Sequence, residues 1–233
     1  MGEGRVGELY SRLKEMAVSF QFRPGERINE VALARKLDAS RTPLREALNR
    51  LVAEQLVDFR SGQGFFCRDL DAGLIFELYE MREILETAAT RRACERAADE
   101  DVMALRDDLY GSGLAFVGKT IPQVTETDEH FHVSIARLAG NGELVRQLVN
   151  INERIRFIRW IDMSSRVMKT KGEHKGIMAA IVDRDADRAV RLMQAHITKR
   201  MDQIVAAVRE GFSNIYVPGA GDLFTQEIDE REG

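Results

Sequence analysis

The stretch that decides the fold is Ser40-Arg41-Thr42-Pro43-Leu44-Arg45-Glu46-Ala47-Leu48-Asn49-Arg50-Leu51. Ser40 is a favoured N-cap, Pro43 is tolerated only in a first helical turn, and Leu44, Ala47, Leu48, Leu51 and Val52 recur on one face at helical spacing. The spacing predicts a short helix with a sharply marked start. Its other face carries Arg41, Arg45 and Asn49 at steps of four, with Thr42 and Arg50 beside them, donors that suit phosphates and base edges. Such a face equally suits an ordinary solvated helix, so its surroundings decide.

Upstream, Arg23-Pro24-Gly25-Glu26 is a turn, Asn29 can cap a helix, and the segment from Glu30 to Leu37 is expected to bury Val31, Ala34 and Leu37. Only Asp38 and Ala39 then separate it from Ser40, which makes a helix-turn-helix. Downstream, Leu56 to Arg60 and Phe65 to Arg68 are short apolar runs flanking Ser61-Gly62-Gln63-Gly64, a hairpin wing whose glycines can take positive φ. Leu9, Leu13, Met16 and Ala17 supply the buried face of a supporting first helix.

From Arg23 to Phe66 the chain resembles the DNA-binding domain of GntR-type bacterial transcription regulators. The resemblance implies that Arg41 and Arg45 read bases and Ser40 and Thr42 hold phosphates, with Asn49 and Arg50 on the same face. It also implies that Gly62, Gln63 and Gly64 bring the wing against the minor groove.

The chain has 233 residues, 44% of them hydrophobic, and nothing in it approaches the ~20 apolar residues of a membrane span. No secretory leader opens it, and Cys67 and Cys94 are too few and scattered for a disulfide framework or a thiolate metal site. A cytoplasmic protein is expected. The net charge of −4 hides a polarity: through Arg68 there are 12 Lys and Arg against 9 Asp and Glu, and beyond it 22 against 29. A mildly basic, histidine-free head (residues 1–68) precedes an acidic body (69–212) holding all four histidines, which favours nucleic-acid binding by the head alone.

The body shows helical periodicity broken by caps and no strand signal. Six helices are expected: Asp71 to Ala98, Asp99 to Val117, Thr120 to Leu138, Asn141 to Met163, Lys171 to Val182 and Asp185 to Glu210. The fold class is therefore mainly α, a winged helix-turn-helix followed by an all-helical bundle. Gly211 onward reads as a tail, with residues 213–233 outside either domain.

Asp128 and His132, four apart, emerge on one helix face and can grip a single ion, whereas His130 cannot join them. His174 and His196 sit among apolar neighbours at helical spacing, so both imidazoles are expected to face the interior. Three histidines and a carboxylate suit a borderline divalent metal, zinc first, with nickel, iron or manganese open. Arg82 falls within the stripe Ile75, Leu78, Leu85 and Ala89; a guanidinium there needs a partner, either an internal carboxylate or an anionic ligand. Asn152 and Arg159 are further pocket candidates.

Asp128-Glu129-His130-Phe131-His132, Leu138-Ala139-Gly140-Asn141, then His174 and His196, resemble the FCD ligand-binding domain of the FadR branch of GntR regulators. The two resemblances span about residues 8 to 210. The second implies a metal held by Asp128, His132, His174 and His196 and a small organic carboxylate bound beside it; six helices would imply the VanR-like subgroup. Together they point to a metabolite-responsive repressor acting as a homodimer on near-palindromic operator DNA, since one recognition helix reads too few base pairs alone. Two other classes compete. A metal-dependent helical-bundle enzyme would leave the winged head unused, and the chain has no nucleophile motif or phosphate loop. An architectural DNA-binding protein with a structural metal would not need a buried arginine.

Overall fold

The computed structural model describes residues 2–111, 116, 118–164, 167–199 and 201–217. The chain divides into two compact units, one through Asp71 and one from Ala72 onward.

In the first unit α1 (Gly2–Val18), α2 (Glu30–Lys36) and α3 (Arg41–Ala53) precede a hairpin of β1 (Val57–Arg60) and β2 (Gly64–Cys67). Its core gathers Leu9, Leu13, Met16 and Ala17 from α1, Leu33 and Leu37 from the α2 region, Leu44, Ala47, Leu48 and Leu51 from α3, and Leu56, Val57 and Phe65 from the wing. Asn29 caps α2 by accepting from the Ala32 amide at 3.0 Å. Ser40 stands at the N-cap of α3 with extended backbone, but its side chain makes no capping bond. In α2, Val31 points outward at 63% exposure and Leu33 takes its place in the core. Seven residues fix a helix's phase weakly, and the expectation that Val31 is buried chose the wrong one.

The strands pair antiparallel, Val57 opposite Cys67 and Arg60 opposite Gly64. The segment before α2 extends the sheet: Ile28 donates its amide to the Phe65 carbonyl at 2.8 Å and Cys67 donates to that of Glu26 at 2.9 Å. Gly62 and Gly64 have φ of 73° and 97°, conformations that the tight wing turn reserves for glycine.

The second unit contains α4 (Ala72–Arg96), α5 (Asp99–Gly111), α6 (Ile121–Leu138), α7 (Gly142–Ser164), α8 (Val167–Val182), α9 (Ala186–Ile197) and α10 (Met201–Tyr216). Among the described residues the bundle has seven helices rather than the six read from periodicity, which removes the ground for the VanR-like subgroup. The run from Asp185 to Glu210 is two helices. No Gly or Pro marks the break; tertiary contacts accompany it. Thr198 leaves helical geometry, with its hydroxyl 2.9 Å from Glu83, and Lys199 donates to both oxygens of Asp162 at 2.7 and 2.8 Å. Helix α10 also runs to Tyr216, past the expected start of the tail at Gly211, while residues 218–233 and the predicted helix end at Val117 lie outside the described residues.

Long α4 packs against α6, α7, α8, α9 and α10 and so forms the spine of this unit. Arg184 fastens its C-terminal end, donating to the carbonyls of Ala93, Cys94 and Ala97 at 3.1, 3.3 and 2.7 Å. Asn141 accepts from the amides of Glu143 and Leu144 at the start of α7. No described helix is long and apolar enough to cross a membrane.

Candidate functional site

In the first unit the face opposite the core of α3 exposes Arg41, Thr42 and Asn49, and Gln63 is exposed at the tip of the wing. Arg45 is half-buried. Its Nη1 donates to both oxygens of Glu30 at 3.1 and 2.9 Å, and its guanidinium lies 5.3 Å from the Phe65 ring, so α2 and the wing together set its direction. Arg50 is exposed yet tied inward, its guanidinium 3.8 Å from the Tyr10 ring on α1.

In the bundle, α6, α8 and α9 bring Asp128, His132, His174 and His196 to one point, each with a ligand atom within 4.8 Å of the others. His132 Nε2 is 3.1 Å from His196 Nε2, which is 3.3 Å from His174 Nε2. His174 Nε2 is in turn 3.2 Å from Asp128 Oδ1. His130 is on the surface, 3.8 Å from Asp108, and takes no part.

The donor set fits a divalent ion. Burial drives the His132 pKa down to about 3 against some resistance from Glu86, and burial likewise lowers that of His174, so both rings are neutral at ordinary pH as coordination requires. Burial opposes ionisation of Asp128, but Arg159 and then the two histidines outweigh it and hold its carboxyl well below the usual range. Donors about 2.0–2.1 Å from a tetrahedral ion lie about 3.3 Å from each other, close to the nitrogen spacings here. The thiols do not compete: Cys67 and Cys94 are both buried, and desolvation pushes Cys67 up to about 12.

Around this point lies a second layer of charge. Arg82 donates through Nε to Glu86 Oε1 at 2.6 Å, and Glu86 Oε2 contacts His132 Nδ1. Burial would raise the Glu86 pKa, but Arg82 and His132 reverse this and leave it at about 2. Glu173 contacts His196 Nδ1 at 2.7 Å. On α7, Arg159 pairs with Asp128 Oδ2, and its Nη1 reaches Glu129 Oε1 at 3.2 Å and Asn152 Oδ1 at 3.5 Å. Among the described residues, Arg82 Nη2 and Asn152 Nδ2 are buried donors without a partner. A cavity of about 30 Å³ is lined by Tyr79, Arg82, Asp128, Arg159, His196 and Lys199 among others.

Arg82, Arg159 and two members of the cluster, Asp128 and His196, thus share one cavity, with Asn152 one contact removed. Sequence reading missed Glu86, although its position four after Arg82 on one face was a usable signal. It also missed Glu173, Glu129 and Lys199, whose partners lie on other helices and leave no local trace.

Two family models cover this chain: bacterial regulatory proteins of the gntR family over residues 5–67, and the FCD domain over residues 77–199. It is 45% identical over 204 residues to the Nta operon transcriptional regulator of Aminobacter aminovorans, covering 86% of this chain and 95% of that one. The Uxu operon transcriptional regulator of Escherichia coli K12 is 28% identical over 89% of this chain and 88% of its own length. Among solved structures, E. coli McbR/YncC shares the fold at 19% identity with a TM-score of 0.63, over 89% of this chain and 98% of that one. A GntR regulator from Rhodococcus sp. RHA1 does so at 23% identity and 0.63, over 88% and 99%. The two operon relatives are named transcriptional regulators, and the chain belongs to the gntR family of bacterial regulatory proteins and carries an FCD domain.

Proposed function

We propose that this regulator is a metabolite-responsive repressor, acting in the cytoplasm as a homodimer on a near-palindromic operator and sensing a small organic carboxylate in its bundle. The observation that carries the reading is that buried Arg82, whose Nη2 has no partner, lines the same small cavity as Asp128 and His196. A buried guanidinium nitrogen without an acceptor is costly, and a carboxylate supplies two acceptors in matching geometry.

Asp128, His132, His174 and His196 would hold the metal, with zinc the best fit. Once bound, it supplies a fixed positive centre able to attract a carboxylate oxygen. The chain's own residues do the rest. Arg82 orients the carboxylate, and on the other side Arg159, which Asn152 contacts, holds Asp128 in place. A cavity of about 30 Å³ accommodates water but not an organic acid, so entry requires a side-chain shift. The Lys199–Asp162 pair, which lines the cavity where α9 gives way to α10, is the element we assign to that shift. Arg41, Arg45, Ser40, Thr42, Asn49, Arg50 and the wing residues Gly62, Gln63 and Gly64 form the operator surface. The coupling between acid and operator, carried by the Asp69-Leu70-Asp71 junction, is expected at ~1–3 kcal/mol.

The test measures operator affinity of zinc-loaded protein by fluorescence anisotropy against a panel of mono-, di- and tricarboxylates. Arg82→Lys keeps a cation for Glu86 but removes the second guanidinium nitrogen, so it should retain operator binding and lose the acid response. An unaltered response removes Arg82 from the site, and an acid affinity independent of operator DNA sinks the allosteric reading.

A further inference from the structure

Two of the three clustered histidines are backed by a carboxylate and the third by an aromatic ring. His132 contacts Glu86 through Nδ1, His196 contacts Glu173 through Nδ1 at 2.7 Å, and His174 is stacked on Phe131 with ring centroids 4.2 Å apart. A carboxylate at Nδ1 takes that nitrogen's proton as a hydrogen-bond donor and leaves Nε2 with its lone pair exposed. His132 Nε2 and His196 Nε2 then face each other at 3.1 Å as two acceptors, an arrangement that repels unless a cation stands between them. The carboxylates therefore do more than satisfy the rings: they choose the nitrogen. Glu86 has a second duty, since its other oxygen receives Arg82 Nε at 2.6 Å. One buried carboxylate joins the arginine of the cavity to a histidine of the ion cluster.

Resting on the metal-site reading above, we propose that Glu86 and Glu173 are positioning residues that fix His132 and His196 for the ion, and that Glu86 links ion affinity to Arg82. A carboxylate bound at Arg82 then competes for the guanidinium that holds Glu86 in place, so occupancy of the cavity and of the ion cluster influence each other through three side chains in contact. Two of the three, Arg82 and Glu86, lie four apart on α4, and His132 meets them from α6. This is a short physical path with named atoms rather than a diffuse one.

The test uses full-length protein and zinc alone, measured by competition with a colorimetric chelator, with cobalt(II) visible spectra reporting coordination. Glu86→Gln and Glu173→Gln should each weaken zinc binding about 10–100-fold and shift the cobalt bands. Wild-type zinc affinity and cobalt bands in both variants, with binding lost in His132→Ala and His196→Ala, would overturn the positioning roles and leave the ion site standing. Zinc retained by those alanine variants would instead bring down the ion site itself. Should Glu86→Gln fail to fold, Glu173→Gln, on a carboxylate less buried than Glu86, decides the positioning role by itself. For the link, Arg82→Met and Glu86→Gln should together cost less zinc affinity than the product of their separate losses; independent multiplication would overturn it.

Discussion

Replacing Arg159 with Met separates the two jobs that the structure gives Asp128. Its Oδ1 faces His174 within the ion cluster, and its Oδ2 pairs with Arg159, whose side chain is only 5% exposed. Met has nearly the same reach and no charge, so the change removes a buried partner without opening a large cavity. Asp128 then keeps its charge in a site that burial makes hostile to it, a cost of ~3–5 kcal/mol when one member of a buried pair is lost. With the metal removed by chelator, the bundle should lose that much stability in urea. The chain has a single tryptophan, Trp160, buried on α7 beside the changed residue, so its fluorescence follows this unit specifically. Zinc present at about 100 times its Kd adds ~2.7 kcal/mol to any protein that binds it only when folded. In the variant it should add more, because the ion becomes the main counter-charge for Asp128. The deficit of Arg159→Met should therefore shrink to less than half in zinc. An equal deficit with and without zinc would refute Asp128 as a ligand, and a deficit under ~1 kcal/mol in chelator would refute the cost assigned to the buried pair.

In the head, Arg45→Ala should cost ~1–3 kcal/mol on the specific operator and blur one position in each half-site; equal loss on random DNA would make Arg45 a phosphate contact. His132→Ala, His174→Ala and His196→Ala should each bring bound metal toward zero in elemental analysis, with exposed His130→Ala near the wild-type level as the internal control. Acid should destabilise the metal-free bundle. Because His132 is depressed to about 3 in the fold against about 6.5 when unfolded, the unfolded chain binds the extra proton, and stability falls as pH drops from about 6.5 toward 3. Glu86, depressed to about 2, adds a further loss below about 4.5. Urea midpoints followed by Trp160 between pH 7.5 and 4.5 should decline accordingly, and a flat profile would contradict the buried neutral state of His132.

What could be read from the sequence was whatever one helix or one turn decides by itself. Asn29 caps α2 and Pro43 opens α3, and Leu44, Ala47, Leu48 and Leu51 face the core because spacing along a single helix determines facing. The ion cluster was legible for a related reason: Asp128 and His132 share a turn, and the other two histidines sit in apolar stripes whose burial periodicity already implies. The limits are equally local. The expected burial of Val31 failed because α2 has too few residues to fix its phase, and the α9–α10 break has no strong local mark because Ile197-Thr198-Lys199 holds no Gly or Pro. At that break Thr198 and Lys199 contact Glu83 on α4 and Asp162 on α7, partners that no local sequence signal announces.

The same reasoning explains why Glu86 was overlooked while Arg82 was noticed. A guanidinium in an apolar stripe announces a problem, and the carboxylate one turn later looks like its ordinary solution. Only the approach of His132 from α6 turns that solution into a connection, since Glu86 must then serve a cation and a ligand histidine at once. With a single carboxylate divided between the two, a change in what Arg82 binds alters what Glu86 offers His132, and the reverse. If the bundle holds an ion and senses an acid as proposed, this contact gives it a reason to place the two on neighbouring helices rather than at separate ends.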